Sequence, residues 1–344
     1  VHLLSALSLA LLLAGCGNDD LSQAAKELPA ALAKAKELGL PLTAAEVAPK
    51  RDVPDSRNAF LALQHYKPSP EQEAWMKQAQ DAEGKGEWRE VGRLIRQNPQ
   101  FVREAERIAD MDYAPARDYD ETMNIAFPEM AHIRELVRIV RLQAVARASE
   151  QDLEGVVKAQ ERMRRVAEFL NHDPSIIAVL VQIASEAIRM RTLDDIAEAW
   201  SNRPQLLRAL ADRMQPTLTP NLLNAFRSEF YMGVSFLRNI EPNTDLKKLM
   251  DFNSQAEPPK VTVTKRDGLP AGVRNQAYLA RHVQAYLAAW PKMQVAKDLR
   301  QFEEAVKALD VPPGKGPSYL ALEVLTPVFS QVASAGIRSQ AIGD

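Results

Sequence analysis

The sequence predicts an all-α fold, an irregular stack of α-hairpins with room for two helical subdomains. Three observations carry this expectation. Apolar residues recur at three- and four-residue spacing through most of the chain. Glycine is scarce, 14 of 344 residues, while Ala, Leu, Glu, Arg and Gln abound. Period-two runs of β-branched residues are confined to Val261-Thr262-Val263-Thr264, followed by a turn at Lys265-Arg266-Asp267-Gly268. One short strand cannot make a sheet.

The elements follow in order. Leu21, Ala25, Leu28, Leu32, Ala35 and Leu38 share one stripe and predict a first helix over 21–38, which Gly39 and Pro41 stop. Its opposite face mixes Lys26, Lys34 and Lys36 with Glu27 and Glu37 and lacks aromatic anchors, so packing on the body is favoured over lying on a membrane. After a Pro-containing linker over 47–54, Asp55 offers a cap to a short helix carrying Phe60, Leu61, Leu63 and Tyr66. Ser69-Pro70-Glu71 combines a cap, a proline at the first helical position and an early acid. Gly84 and Gly86 end that helix, and shorter helices follow over 88–96 and 101–109.

The centre of the chain gives the clearest pattern. Ile133, Leu136, Val137, Val140 and Ala144 fall within about a third of a helix circumference. The acidic turn near Asp152 starts a second helix with Val156, Val157, Met163, Ala167 and Leu170, and Asp173-Pro174 breaks it. A third helix over 175–200 is apolar around most of its circumference between Ile176 and Ile188. That run is shorter than the roughly 20 residues a membrane span needs, so it reads as the buried centre of the stack. Helices also start at Pro204 and Thr219-Pro220, the latter with a stripe of Leu223, Phe226, Phe230, Val234 and Leu237. A polar, Pro-containing stretch over 253–272 is the best internal boundary, with helices expected over 274–289, 294–309 and 318–335 beyond it. The resulting division is a signal at 1–15, a tether with an amphipathic helix at 16–55, a main helical domain at 56–252, a linker at 253–272 and a C-terminal helical segment at 273–344.

At the N-terminus an apolar run from Leu3 leads into Leu13-Ala14-Gly15-Cys16, which ends on the chain's one cysteine. With an apolar core of about 12 residues it reads as an export signal, not a span. These four residues resemble the lipobox of a bacterial lipoprotein signal. The resemblance implies cleavage before Cys16 and a diacylglyceryl group on its thiol. It also implies a further acyl chain, such as palmitate, on the new amino group. At about 0.8 kcal/mol per buried methylene, two or three such chains hold a protein firmly to a membrane. Val1 and His2 stand where such signals carry basic residues, so translation is expected to begin upstream or at a non-AUG codon. Gly17, rather than Asp, follows the cysteine. By the same resemblance this favours the periplasmic face of the outer membrane in the cell envelope of a two-membrane bacterium.

Two further resemblances concern the body. The order helix, acidic turn, helix, Asp173-Pro174 resembles a tetratricopeptide hairpin, although the unit does not recur at a period of about 34 residues. The stretch Val53-Pro54-Asp55-Ser56-Arg57-Asn58-Ala59, the turn Asp152-Leu153-Glu154-Gly155, and Tyr319-Leu320-Ala321-Leu322 through Pro327 resemble exported α-helical proteins of unassigned function from planctomycete-like bacteria. Both resemblances imply fold and location, and neither implies an activity.

Catalytic and metal signatures are sparse. His65, His132, His172 and His282 are scattered without helical ligand spacing. Gly314-Lys315-Gly316 is too short for a phosphate loop, and no Gly-x-Ser-x-Gly elbow occurs. With its one cysteine at the lipid site, the chain has none for thiol catalysis. No metal, cofactor or catalytic set is therefore assigned. A net charge of −2 gives no case for nucleic acid. Asp110, Asp112, Asp118, Asp120 and Glu121, with Tyr113 and Tyr119 between them, could hold Ca²⁺ but lack EF-hand spacing and read as a solvated acidic loop. Arg134, Arg138 and Arg141, with Lys158, Arg162 and Arg165 on the next helix, could dock an acidic partner or lipid headgroups. Glu135, Glu150, Glu154 and Glu161 interleave, so internal ion pairing is the favoured reading. The expected role is a non-enzymatic, lipid-anchored envelope protein with a helical interaction scaffold for another envelope protein. The alternative is an enzyme or carrier acting on envelope polymers such as peptidoglycan.

Overall fold

The structure, a computed structural model, describes residues 18–50, 52–119, 127–218, 220–239, 271–306 and 309. Thirteen α-helices and no strand occur among the described residues, so the fold is all-α. In chain order the helices are α1 (Asn18–Glu37), α2 (Ala44–Val47), α3 (Ala59–Gln64), α4 (Pro70–Gly84), α5 (Trp88–Gln97), α6 (Pro99–Ala109) and α7 (Pro128–Ser149). They continue with α8 (Leu153–Phe169), α9 (Ile176–Ala199), α10 (Pro204–Ala211), α11 (Leu222–Asn239), α12 (Ala271–Val295) and α13 (Leu299–Val306). Among the described residues no helix is long and apolar enough to cross a membrane. The Val261–Thr264 stretch, Cys16 and the helix expected over 318–335 lie outside the described residues.

Several starts are set by the residues that the sequence marks. Ser69 Oγ accepts from the Gln72 N–H at 3.2 Å, with Pro70 at the first helical position. Asp152 accepts from Gly155 at 2.9 Å, and Ser175 from Ala178 at 3.1 Å. One cap differs. Asp55 lies in a short 3₁₀ turn, and Asn58 caps α3 through Phe60, 3.1 Å away. Asn58 wins because its amide both accepts and donates. It also takes the Ala114 N–H at 3.0 Å and gives to the Ala114 carbonyl at 2.9 Å, which ties the 110–119 loop to α3.

Two large apolar cores form among the described residues, and α9 belongs to both; a smaller cluster joins Val47, Tyr119, Tyr231 and Met232. Ala178, Val181, Met190, Leu193 and Ile196 face the first core, built with α3 to α8 and α10. Ile176, Val179 and Ile183 face the second, built with α1, α11, α12 and α13. This is the physical reason for an apolar helix with little amphipathic bias: it has neighbours on opposite sides. Helix α1 packs along α12, where Gln284 Nε2 donates to Glu27 at 2.9 Å. Three buried tryptophans donate to carbonyls at helix ends. Trp75 reaches Leu94 O (3.2 Å), Trp200 reaches Ala148 O (3.0 Å) and Trp290 reaches Leu38 O (3.1 Å). Leu94 O and Ala148 O also accept backbone N–H groups, from Asn98 and Gln151, so the indoles use the second lone pair of these carbonyls and are themselves satisfied.

In the second core, Gly233 of α11 lets α12 come close. His282 donates from Nε2 to the Phe230 carbonyl at 3.0 Å and stacks on the Phe230 ring with centroids 5.6 Å apart. A Cβ at Gly233 would overlap the imidazole. Gly233→Ala is therefore expected to destabilise the protein by about 1–3 kcal/mol through overpacking, even though alanine favours helix. Urea unfolding checks this. His282→Ala in the same chain should recover part of the loss.

Candidate functional site

A large open groove of about 1590 Å³ lies on one side of the described structure. Its floor is α7. One wall is α9 and the other is the end of α4 with the start of α5. Each helix contributes one face: Arg138, Arg141, Leu142 and Ser149 from α7, and Ile188, Arg191, Asp195 and Glu198 from α9. Gly84 and Gly86 make the turn that brings Trp88, half-buried, onto the third side.

Arg141 clamps the floor. Its Nε donates to Glu83 of α4 at 2.6 Å, its Nη2 to Asp195 of α9 at 2.8 Å and its Nη1 to Thr192 Oγ1 at 3.2 Å. One guanidinium fork thus fixes the spacing of both walls, a geometry that lysine cannot reproduce. Arg138 and Arg191 differ. Both are exposed, and neither makes a hydrogen bond or ion pair among the described residues. Glu198 lies exposed at the other end of the α9 wall, while Glu87 and Arg89 at the start of α5 add one charge of each sign.

Beneath the other end of α7 lies a buried charge cluster that the sequence did not reveal. Arg117, its side chain 4% exposed, bridges Glu129 and Asp173, both side chains 0% exposed. Its guanidinium lies over Phe127, 4.6 Å from the ring centroid, and Phe60, 5.0 Å away. Burial works against the charge on Arg117, but the Asp173 carboxylate together with Tyr113 and Tyr119 outweighs it, so this arginine titrates above its ordinary value. Burial, with Asp173 adding to it, likewise pushes the Tyr113 and Tyr119 hydroxyls upward. Glu129 lies in the first turn of α7 and Asp173 just precedes α9. Two helix N-termini therefore help to balance a cluster that holds more acid than base. The arrangement joins loop, α7 and α9, and among the described residues Arg117 Nε and Glu129 Oε2 are buried without a hydrogen-bond partner.

The acidic loop is only partly solvated. Tyr113 is fully buried, stacked on Phe169 at 5.3 Å and edge-on to Phe60 at 5.9 Å, and Tyr119 is buried too. Asp112 pairs with Arg57 at 3.2 Å and Asp110 with Arg162 at 3.3 Å, while Asp118 is exposed. Asp120 and Glu121 lie outside the described residues. Among the described residues, no three His, Cys, Asp or Glu side chains come together as metal ligands. His65 and His172 are exposed, His132 is half-buried beside Glu135 (3.8 Å), and His282 is buried in the second core.

The basic stripe divides. Arg141 and Arg162 are ion-paired, and Arg165 donates to the Asp110 carbonyl at 3.0 Å. Their partners come from other elements, not from the interleaving glutamates. Glu150 takes Arg96 at 2.5 Å and Arg147 at 3.5 Å, and Glu154 takes Arg213. Arg134, Arg138 and Lys158 stay exposed.

No family model, curated protein or solved structure matches this chain.

Proposed function

We propose that this chain is a lipid-anchored protein of the bacterial cell envelope, held on the periplasmic face of the outer membrane through Cys16, that docks a partner protein in the groove over α7 and α9. The groove carries the reading. It is concave and open, its walls are clamped by Arg141, and it presents charge that the fold itself leaves unused. The residues Leu13-Ala14-Gly15-Cys16 support the anchor. On this reading the body is a non-enzymatic scaffold.

Two measurements test it. Expressed in a two-membrane bacterium, the chain should partition with membranes and carry a lipid mass on Cys16. Cys16→Ser should abolish both, and a soluble, unmodified wild-type chain would sink the anchor. A photo-crosslinking residue at Ile188, in the groove, should give a discrete adduct in intact envelopes. The same residue at Glu168 on α8, outside the groove, should not; equal yields at both positions would sink the docking surface.

A further inference from the structure

We infer that the groove is electrically polarised and that its occupant is an acidic polypeptide segment, with carboxylates seated on Arg138 and Arg191. This inference rests on the docking reading above and adds the chemistry of the partner.

The register of α7 against α9 creates the polarity. Three contacts link the two helices: Arg141 with Thr192, Arg141 with Asp195, and Trp200 with the Ala148 carbonyl, at separations of 51, 54 and 52 residues. The offset stays between 51 and 54 residues, so the helices run parallel, and Arg191, 53 residues after Arg138, stands near its level on the neighbouring helix. Two guanidinium groups thus flank the groove at one level. At the next level Arg141 is neutralised by Glu83 and Asp195. Beyond it Glu198 marks the anionic end.

Among the described residues, five acids line the groove with four arginines; three of the acids are engaged by arginines other than Arg138 and Arg191, and Glu87 and Glu198 are exposed. Glu83 and Asp195 are both drawn to Arg141, and Glu90 is held by Arg93 on its own helix. Two forks side by side suit carboxylates, which arginine binds in bidentate fashion. Ile188 and Leu142 line the same groove and offer apolar contact for the stem of an acidic side chain. A segment lying along the groove, acidic at the Arg138 end and neutral or basic at the Glu198 end, matches the pattern of charge.

The test titrates the full chain with a fluorescein-labelled ten-residue glutamate peptide, a ten-residue lysine peptide and phosphatidylglycerol vesicles. The glutamate peptide should bind at low salt and weaken steeply as ionic strength rises. Arg138→Glu with Arg191→Glu should weaken it at least tenfold, with an unchanged circular dichroism spectrum showing that the fold persists. Glu198→Lys should strengthen it a few-fold. No binding, binding equal in the double variant, or binding to vesicles but not to the peptide would each overturn the inference. The Ile188 crosslink separates the two claims. An adduct that persists in the double variant refutes the acidic chemistry and leaves docking standing. Its absence from the wild-type chain refutes docking, while the titration still decides the chemistry.

Discussion

Arg117→Met should cost the fold about 3–5 kcal/mol, the range for breaking a buried ion pair by removing one partner. The substitution keeps an apolar stem near Phe60 and Phe127 and deletes the one cation between Glu129 and Asp173. Two carboxylates then remain in a site that solvent does not reach. They cannot move apart, because Glu129 is fixed in the first turn of α7 and Asp173 is held before α9 by the Ser175 N–H at 3.0 Å. The loss should grow as pH rises, since low pH lets the stranded carboxyls protonate. Urea unfolding at neutral and acidic pH measures both features. Arg117→Met combined with Glu129→Gln should recover a large part of the loss, because the remaining acid no longer faces a second charge. Arg117→Lys, retaining charge without the fork, should fall between. A neutral-pH loss below about 1 kcal/mol for Arg117→Met would mean that the cluster is solvated and is not a clamp.

That cluster also marks where sequence reasoning stops. The helices were legible because each is a local pattern. The α7 stripe, the apolar breadth of α9, and the Ser69, Asp152 and Ser175 caps are set by residues within a few positions of one another. Arg117 is not local: its partners lie 12 and 56 residues away. In the sequence it is a lone arginine in an acidic stretch, and Asp173 reads as a helix breaker. Asn58 lost its place to Asp55 for the same reason, since its deciding contact is Ala114, 56 residues on. The 110–119 loop looked solvated because its charges dominate composition, whereas its tyrosines decide its burial.

The groove was half legible. Arg134, Arg138 and Arg141 plainly share a helix face. Which of them is neutralised depends on Glu83 and Asp195, brought in by other helices. The parallel register that pairs Arg138 with Arg191 is set by side-chain packing such as Trp200 on Ala148, and no spacing within one helix reports it.

The second large effect is a pair of opposed pH dependences in the second core. Glu229 of α11 is half-buried. Burial pushes its carboxyl up to about 7, against a backbone hydrogen bond from Ile176 that pulls it down. His282 of α12 is buried; burial lowers its pKa to about 4, against its hydrogen bond to the Phe230 carbonyl. The folded protein therefore holds Glu229 protonated where the unfolded chain has released its proton, so stability falls as pH rises from 4.5 to 7. It keeps His282 neutral where the unfolded chain has bound a proton, so stability rises from pH 4 to 6.5. Each displacement is worth at most about 3 kcal/mol, and for the half-buried Glu229 about 1–2 kcal/mol after solvent screening. Between pH 4.5 and 6.5 the two slopes oppose, and the wild-type chain hides most of both. Single variants should expose them. Glu229→Gln leaves the histidine slope, so its stability relative to wild type should improve as pH rises through this window. His282→Gln, whose amide can still donate to the Phe230 carbonyl, leaves the glutamate slope, so its relative stability should fall. Urea midpoints at half-unit pH steps, taken as differences from wild type, give the two curves. Differences that stay flat for both variants would mean that neither group is held in its neutral form.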